Sequence, residues 1–317
     1  MIRTKICDLL GIEYPIIQGG MTWIANAELA AAVSNAGALG IISPNAGMKL
    51  EDDVVECLRS QIRKAKSLTD KPFGVNLPVQ IPEIEDLIGV LIEEGVKVVT
   101  SSAGSPALYT PRLKEAGVTV LHVVASVRHA KSAERNGVDA VIAEGYEAGG
   151  HNGMDELPTM VLVPQVVDAV SVPVVAAGGI VDARGFVAAL ALGADGVQMG
   201  TRFVATHECV AHQNLKQAIV EAADTGTVIT GRKLGPARVV KGEFATKILE
   251  LESKGATAEE LLVFIGLARS RIGELDGDLI EGEAYCGAIA GMINEIVSAG
   301  DVVKSIVEGY DRVVAGL

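Results

Sequence analysis

One short pattern recurs along the first two-thirds of the chain: a glycine follows a stretch with helical periodicity, and a run of apolar, largely β-branched residues follows the glycine. Five copies occupy residues 35–43, 93–101, 115–123, 135–143 and 192–200. A glycine just past a helix adopts the left-handed conformation without a Cβ penalty and ends the helix. The apolar run is typical of a strand buried on both faces, as in a parallel sheet. The pattern therefore predicts helices that alternate with parallel strands.

Apolar runs that lack the leading glycine raise the number of predicted strands to eight. They begin near Tyr14, Ala38, Pro72, Lys97, Val118, Asp139, Val172 and Asp195. The predicted helices lie over 26–36, 51–67, 82–94, 106–116, 126–136, 160–170 and 182–192. The spacing of roughly 20 to 35 residues is that of one strand–helix unit. Eight units predict an α/β fold, a (β/α)8 TIM barrel. The rival is an open doubly wound sheet, which usually has fewer strands and an early Gly-x-Gly-x-x-Gly, a motif that this chain lacks.

The strand pattern stops after about residue 203, and residues 205–317 are predicted to be mostly helical. Loops rich in Gly, Pro and Arg are expected near 226–242, and an acidic stretch lies near 273–283. Two roles fit this part of the chain: the last barrel helix, and a helical lid over one end of the barrel. No Ser- or Pro-rich linker precedes it. We therefore expect residues 1–205 and the last barrel helix to form a ligand-binding barrel, with 206–317 as a packed extension and not an independent domain.

The net charge of the chain and the spacing of its cysteines indicate which partners and which cellular compartment to expect. The chain has 27 Lys and Arg against 40 Asp and Glu, a net charge of −13, which disfavours nucleic acid and anionic membranes as partners. No apolar run reaches the roughly 18 residues of a membrane span, and the charged N-terminal stretch does not fit a signal peptide. The four cysteines are far apart, without a Cys-x-x-Cys pair. They predict reduced thiols of a cytoplasmic protein and no metal site.

Small and polar residues collect where the predicted strands end, the rim at which barrels of this kind build their active sites. The first, third and sixth strands lead into Gly20, Met21, Asn76, Glu144, Gly149, Gly150 and His151. Polar groups there are expected to face a pocket, although Asn76 and Glu144 could instead bridge loops by hydrogen bonds. Trp23, the only tryptophan, either belongs to the core or forms the wall of a site for a planar ligand.

The turns after the seventh and eighth strands carry Gly178, Gly179, Gly200 and Thr201. Loops at these positions commonly bind phosphate through backbone N–H groups. Glycines let the backbone approach an anion closely, and Thr201 adds a hydroxyl. The alternative is a pair of glycine-rich turns that merely close the barrel. We favour a phosphate site.

His151 lies in a loop between glycines, in the sequence GGHNG. The glycines would let the imidazole reach into a pocket, where it could act in catalysis or polarise a substrate. The alternative is a surface histidine. By contrast, His122 on a predicted strand and His129 on a helix beside Arg128 and Lys131 are interpreted as structural or solvated.

Five motifs in chain order resemble those of a known family. They are QGGM (18–21), FGVN (73–76), EAGGHNG (147–153), AAGGI (176–180) and MGTRF (199–203). They resemble the nitronate monooxygenase (2-nitropropane dioxygenase) family of FMN-dependent TIM-barrel oxidoreductases, which includes enoyl-acyl-carrier-protein reductase II and certain NAD(P)H:quinone reductases. The resemblance covers about residues 1–240. It implies FMN with its phosphate on Gly178, Gly179, Gly200 and Thr201, its ring near Gly20, Met21 and Asn76, and its surroundings lined by Glu144, Gly149 and Gly150. It also implies that His151 lies near flavin N5 as a base or proton donor.

The resemblance leaves the reaction open. One hypothesis is oxidation of alkyl nitronates with O2. Another is reduction of an enoyl thioester or quinone by NAD(P)H. The feature that favours it is a basic run, which could bind a nucleotide phosphate or an acidic carrier protein and consists of Arg232, Lys233, Arg238 and Lys241. A third is a non-catalytic barrel that binds FMN or a phosphorylated metabolite; phosphosugar- and indole-type barrels share the phosphate site. In each case the expected partner is a small molecule, and the helical tail is compatible with a homodimer.

Overall fold

Eight parallel strands form one sheet in the computed structural model, which describes residues 2–266 and 268–317. The strands in chain order are β1 (Ile16–Gln18), β2 (Gly40–Ile42), β3 (Phe73–Pro78), β4 (Val98–Ser102), β5 (Thr119–Val124), β6 (Ala140–Glu144), β7 (Gly150–His151), β8 (Val174–Ala177), β9 (Gly196–Met199), β10 (Thr227–Thr230) and β11 (Ala237–Val240). The large sheet has the order β1-β9-β8-β6-β5-β4-β3-β2. Its eight strands are the eight that the sequence predicts.

The sheet closes on itself where β1 meets β2. The Gln18 N–H donates to Leu39 O and the Leu39 N–H donates to Ile16 O, both at 2.9 Å, in a parallel bridge. The predicted TIM barrel is therefore confirmed. Side chains of successive strand residues alternate between the barrel interior and the surrounding helices.

Helices surround the barrel and continue beyond it. They are α1 (Lys5–Leu10), α2 (Ala27–Asn35), α3 (Val54–Leu68), α4 (Ile84–Glu93), α5 (Thr110–Glu115), α6 (Val127–Arg135), α7 (Thr159–Val167), α8 (Ala183–Ala191), α9 (Thr201–Val204), α10 (Gln213–Val220), α11 (Glu243–Ser253), α12 (Ala258–Ile265), α13 (Arg269–Arg271) and α14 (Ala299–Ala315). A π-helical turn, Ile272–Asp276, continues α13, and short 3₁₀ helices cover Pro106–Leu108 and Ala288–Met292. No helix of the described residues has both the length and the apolarity that a bilayer crossing needs.

Helix α3 shows how the local sequence produces these elements. The Asp53 carboxylate accepts hydrogen bonds from the N–H groups of Val55 and Glu56 and so caps the helix start. The buried residues Leu58, Ile62 and Ala65 follow at intervals of four and three, which gives one apolar stripe toward the core.

The amino-terminal end of the barrel is filled, so the site must lie at the other end. Helix α1 contributes Ile6, Cys7 and Leu10 to a buried cluster with interior residues of the barrel such as Ile142. A Cβ on Gly196, the first residue of β9, would lie 3.0 Å from Ile6 Cγ2, which places α1 against the strand starts.

The chain after β9 differs in one respect from the sequence prediction. The segment expected to be loop near 226–242 contains an antiparallel hairpin, β10–β11, and β11 also pairs with β7. Its strands have only four residues each, and a turn rich in Gly, Pro and charged residues separates them, so each strand pattern is short and pairing stabilises it. Helix α14 packs against α8 and α2 and takes the place of a last barrel helix.

Candidate functional site

A cavity of about 730 Å³ opens where the barrel strands end. That volume is within the range of small-molecule sites. The structure brings all eleven predicted site residues to its wall: Gly20, Met21, Asn76, Glu144, Gly149, Gly150, His151, Gly178, Gly179, Gly200 and Thr201. Their placement on one rim is thus observed, and their individual roles stay predictions.

The turn after β8 needs glycine at two successive positions. Gly178 and Gly179 have φ values of +89° and +74°, a region that side-chain-bearing residues rarely adopt. A Cβ on Gly178 would also lie 2.7 Å from the carbonyl oxygen of Gly145. Thr159 fixes the turn, since its Oγ1 lies 2.9 Å from both Gly178 O and Glu147 Oε2.

Thr201 presents a hydroxyl group to the same part of the cavity. The Gly287 N–H donates to Thr201 Oγ1 at 2.9 Å, which leaves the hydroxyl hydrogen available for another acceptor. The next residue, Arg202, instead donates from Nη1 to Glu295 O at 3.1 Å. No Lys or Arg occurs among the residues that line the cavity in the described ranges. An anion in this corner would therefore be held by backbone N–H groups and Thr201.

Two side-chain amides line the opposite corner of the cavity. Asn76 has a hydrogen-bond partner for its amide oxygen, and Gln198 has none among the described residues. Thr100 Oγ1 donates to Asn76 Oδ1 at 3.1 Å, and a Cβ on Gly20 would lie 2.3 Å from Asn76 Cβ. Gln198 Oε1 is buried at the cavity wall without a hydrogen-bond partner among residues 2–266 and 268–317. Buried carbonyl oxygens of this kind usually have a donor, so a ligand N–H would complete the site. The sequence analysis missed Gln198, although it is the next-to-last residue of β9 and precedes the Met-Gly-Thr turn.

Glu144 ends β6 and faces the cavity without a hydrogen-bond partner for its carboxyl group among the described residues. Burial by surrounding protein atoms raises the pKa of this carboxyl to about 7. Near neutral pH the group is therefore shared between its neutral and charged forms, and the cavity carries little fixed negative charge there.

We expect Glu144→Gln to flatten the pH dependence of stability. A carboxyl whose folded pKa lies above its ordinary 4.5 stabilises the fold fully below pH 4.5, and this contribution is lost as pH rises through 7. The loss corresponds to roughly 1–3 kcal/mol. Thermal unfolding midpoints of cofactor-free protein between pH 5 and 8.5 measure it, with the exposed Glu115→Gln as control. Equal slopes for Glu144→Gln and unsubstituted protein would contradict the assignment.

His151 is held at the cavity by the hairpin that the sequence analysis missed. Strand β7 pairs with β11 so that His151 lies opposite Ala237, and the Asn152 N–H donates to Pro236 O at 2.8 Å. Asn152 Nδ2 further donates to the carbonyl oxygens of Ala148 and Gly150, both at 3.0 Å. A loop rich in glycine thereby becomes a defined support for the imidazole.

The His151 ring is open to the cavity on one side and contacts Tyr285 on another. His151 Nε2 and Tyr285 Oη lie 3.3 Å apart, with ring centroids separated by 5.6 Å. Partial desolvation lowers the pKa of His151, so the imidazole is neutral at neutral pH. The Tyr285 N–H donates to Oε1 of buried Glu274 at 3.1 Å, and burial raises the pKa of that carboxyl well above its usual range.

Tyr285 and Glu274 both line the cavity, and the sequence analysis found neither. They come from the extension after residue 205, where no strand pattern indicates which residues reach the barrel rim. Tertiary contacts bring that segment to His151, among them the pairing of Val239 with Tyr285.

Two other histidines, His122 and His129, lie on the cavity wall, and their interpretation as structural or solvated stays a prediction. His122 Nδ1 is 2.8 Å from Ser101 Oγ, and burial lowers the pKa of His122 to about 4, so it is neutral. His129 and Ser132, from α6, line the same side. Trp23 is not among the lining residues; its Nε1 donates to Ser270 Oγ at 3.1 Å, which does not favour a planar-ligand wall.

The basic run proposed to hold a nucleotide phosphate is engaged in other contacts. It consists of Arg232, Lys233, Arg238 and Lys241, none of which lines the cavity. Arg232 Nε donates to Glu156 at 3.0 Å and its Nη2 donates to Tyr146 Oη at 3.1 Å. Arg238 donates to Tyr146 O, and Lys233 donates to Ala256 O. These side chains hold loops together, so the structure does not support that cue.

The wall thus combines backbone N–H groups, the neutral imidazoles of His122 and His151, and the carboxyl groups of Glu144 and Glu274, whose pKa values are raised. Among the described residues, no group of three or more His, Cys, Asp or Glu side chains is placed to hold a metal ion. A neutral imidazole can accept a proton from a ligand or donate a hydrogen bond to it. The arrangement is suited to an uncharged or anionic organic ligand beside a bound phosphate.

Comparisons with known proteins agree with this chemistry. The sequence model of the family described as nitronate monooxygenase matches residues 3–309. The chain is 41% identical to the (3aS,4S,5R,7aS)-5-hydroxy-7a-methyl-1-oxo-octahydro-1H-indene-4-carboxyl-CoA dehydrogenase of Mycobacterium tuberculosis, over 78% of this chain and 68% of that protein. It is 38% identical to a probable nitronate monooxygenase of Staphylococcus saprophyticus, over 80% and 82% of the two chains.

Solved structures show the same likeness over the whole chain. FabK from Thermotoga maritima is 47% identical with a TM-score of 0.91, and the match covers 100% of this chain and 98% of that one. A nitroalkane oxidase from Streptomyces ansochromogenes is 28% identical with a TM-score of 0.84, and the match covers 98% and 99%.

Proposed function

The chain belongs to the nitronate monooxygenase family, whose members are oxidoreductases and in general flavin-dependent, and from this premise we propose that it is an FMN-dependent enzyme that oxidises alkyl nitronates with O2 to carbonyl compounds and nitrite. The observation that carries the proposal is the neutral imidazole of His151 on the wall of a cavity whose anion corner consists of glycine turns.

The residues present fit FMN. Gly178, Gly179, Gly200 and Thr201 would hold its phosphate, because all four line the cavity and glycines let a ligand approach the backbone closely. Gln198 Oε1, for which residues 2–266 and 268–317 supply no donor, suits an N–H of the ring system. Bound FMN supplies the electron transfer between substrate and acceptor.

The chain's own contribution is proton handling and electrostatics around the substrate. The imidazole of His151 would bind the nitronate, or take a proton from the corresponding nitroalkane, and Tyr285 would orient the ring through Nε2. Glu144 and Glu274 repel an anionic substrate little, because their raised pKa values favour the neutral forms. The absence of lysine and arginine from the described cavity wall leaves the imidazoles as its basic groups.

We expect FMN-loaded protein to consume O2 with propyl-2-nitronate in the absence of NAD(P)H, and to release nitrite. An oxygen electrode measures the consumption of O2, and a nitrite assay measures the nitrite released in the same reaction mixture. Protein stripped of FMN is the control, and its activity should return on reconstitution. Absence of turnover with a series of nitronates would contradict the proposed function.

A second candidate is reduction of an enoyl thioester by NAD(P)H. The observation that favours it is the 47% identity over the full chain with FabK, an enoyl-acyl-carrier-protein reductase, together with 41% identity to a dehydrogenase of a CoA thioester. Anaerobic mixing with NADH or NADPH separates the two candidates, since only this one requires rapid bleaching of the flavin. Crotonyl thioester and quinone acceptors then distinguish enoyl reduction from quinone reduction.

We also propose that residues 206–317 are part of one folding unit with the barrel, supported by the placement of α14 and the β7–β11 pairing.

The four unpaired cysteines, three of them buried, are in keeping with a cytoplasmic location. The homodimer stays a prediction.

A further inference from the structure

Helix α6 connects the cavity to a positively charged stretch of surface. Its residues His129 and Ser132 line the cavity. The same helix carries Arg128, Lys131 and Arg135, all exposed. None of these three has a carboxylate within 4 Å in the part of the chain that the structure describes. We refer to Arg128, Lys131 and Arg135 as the α6 cations.

Helical geometry places the α6 cations next to the residues that face the cavity. Side chains three or four positions apart are neighbours on a helix surface. Arg128 is therefore adjacent to both Lys131 and Ser132, and Lys131 to Arg135. The stripe of cations runs along the flank of the helix whose next face contributes Ser132 and His129 to the wall. Ser132, which lines the cavity, is therefore a neighbour of Arg128 on the helix surface.

The charge of the stripe stands out against the rest of the molecule. The chain has a net charge of −13, and the described cavity wall has no Lys or Arg. Many exposed cations elsewhere, such as Arg63 and Lys64, are paired with carboxylates. Three adjacent unpaired cations would repel one another, and an anionic ligand relieves that repulsion.

The β4–β5 side of the cavity, which contacts α6, lies outside the residues predicted to hold the cofactor. It includes Ser102, Ser105 and His122, with hydrogen-bonding groups suited to a polar organic ligand. Substrate or reductant would enter from this side. Its reactive end would then lie in the cavity while a longer tail extends across α6.

We propose that the α6 cations bind the phosphate groups of such a tail, a nucleoside diphosphate handle on the thioester substrate or on the nicotinamide reductant. Guanidinium groups form paired hydrogen bonds with phosphate oxygens, and the lysine adds a mobile point charge. The inference rests on the second candidate function, reduction by NAD(P)H, and adds to it the surface that would bind the phosphate groups.

The first test measures binding without turnover. ADP should bind to FMN-loaded protein with an affinity that falls as salt concentration rises, and inorganic pyrophosphate should compete with it. The double reversal Arg128→Glu with Lys131→Glu should weaken ADP binding at least about tenfold. Lys71→Glu with Lys254→Glu changes the net charge equally at exposed positions away from the cavity and should leave ADP affinity unchanged. Isothermal titration calorimetry measures all three proteins.

The second test identifies which molecule carries the handle. If the handle belongs to the reductant, the double reversal should raise the KM for NADH or NADPH in flavin reduction. If it belongs to the substrate, the double reversal should raise the KM for a CoA thioester in flavin reoxidation. In both cases kcat should change little. Unchanged ADP affinity in the double reversal, or an equal loss in the lysine control, would overturn the proposal. Bleaching of the flavin by NADH or NADPH in the unsubstituted protein tests the second candidate function separately.

Discussion

His151→Ala is expected to lower kcat/KM with nitronate at least about a hundredfold while FMN stays bound. The imidazole is the neutral basic group that β7 and Tyr285 fix at the cavity, and alanine leaves neither a proton acceptor nor a hydrogen-bond donor in its place. If the ring acts as a base, the unsubstituted enzyme should lose activity on the acid side of the pKa of His151, which desolvation holds below 6.5. The His151→Ala enzyme should lack that limb of the pH profile.

His207→Ala is the matched control for this experiment. His207 is exposed, lies outside the cavity, and contributes only its backbone N–H to a described hydrogen bond, with Val297 O at 3.0 Å. Its removal should leave kcat/KM within about twofold. Steady-state rates from pH 5 to 9, with the flavin content of each preparation measured by absorbance, separate loss of chemistry from loss of cofactor. Full activity in the His151→Ala enzyme would remove the proposed role.

The barrel was predictable because its local and tertiary preferences agree. The glycine after a helix ends that helix locally, and the β-branched run that follows it suits a strand buried on both faces. Both features predict the same parallel strand. The strand predicted from Asp139, for example, is β6, Ala140–Glu144. The carboxyl ends of all the strands lie at the same end of such a barrel. The sequence could therefore also predict that the residues after those strands lie together around one cavity.

The hairpin β10–β11 shows what the sequence could not indicate. Residues 226–242 contain turn-forming and charged residues, and the strands form because β11 finds two partners, β10 and β7. Pairing between segments about 85 residues apart leaves no periodic trace in either segment. Tyr285 and Glu274 reach the cavity by the same kind of long-range contact, so no local motif marks them.

The second large effect is expected from Gly178→Ala, which should lower FMN affinity by at least about tenfold and also destabilise the protein. An alanine there must adopt φ of +89°, and its Cβ would lie 2.7 Å from Gly145 O, 3.1 Å from Thr159 Oγ1 and 3.2 Å from Ala148 N. The left-handed conformation alone costs about 1–2 kcal/mol. Relief of the contact with a backbone oxygen requires the turn to move, and the turn carries N–H groups proposed to hold the phosphate.

Gly95→Ala separates backbone strain from the effect on the site. Gly95 has φ of +64°, is exposed, and would place a Cβ with no atom within 4 Å; it precedes β4 at the other end of the barrel. It should therefore reproduce the cost of the left-handed conformation, with FMN affinity unchanged. Fluorescence titration with FMN and thermal unfolding of both cofactor-free variants give the two quantities. If Gly178→Ala lost only as much stability as Gly95→Ala and bound FMN normally, the turn after β8 would not be the phosphate site. A displacement of that backbone must change the affinity for a ligand that its N–H groups hold.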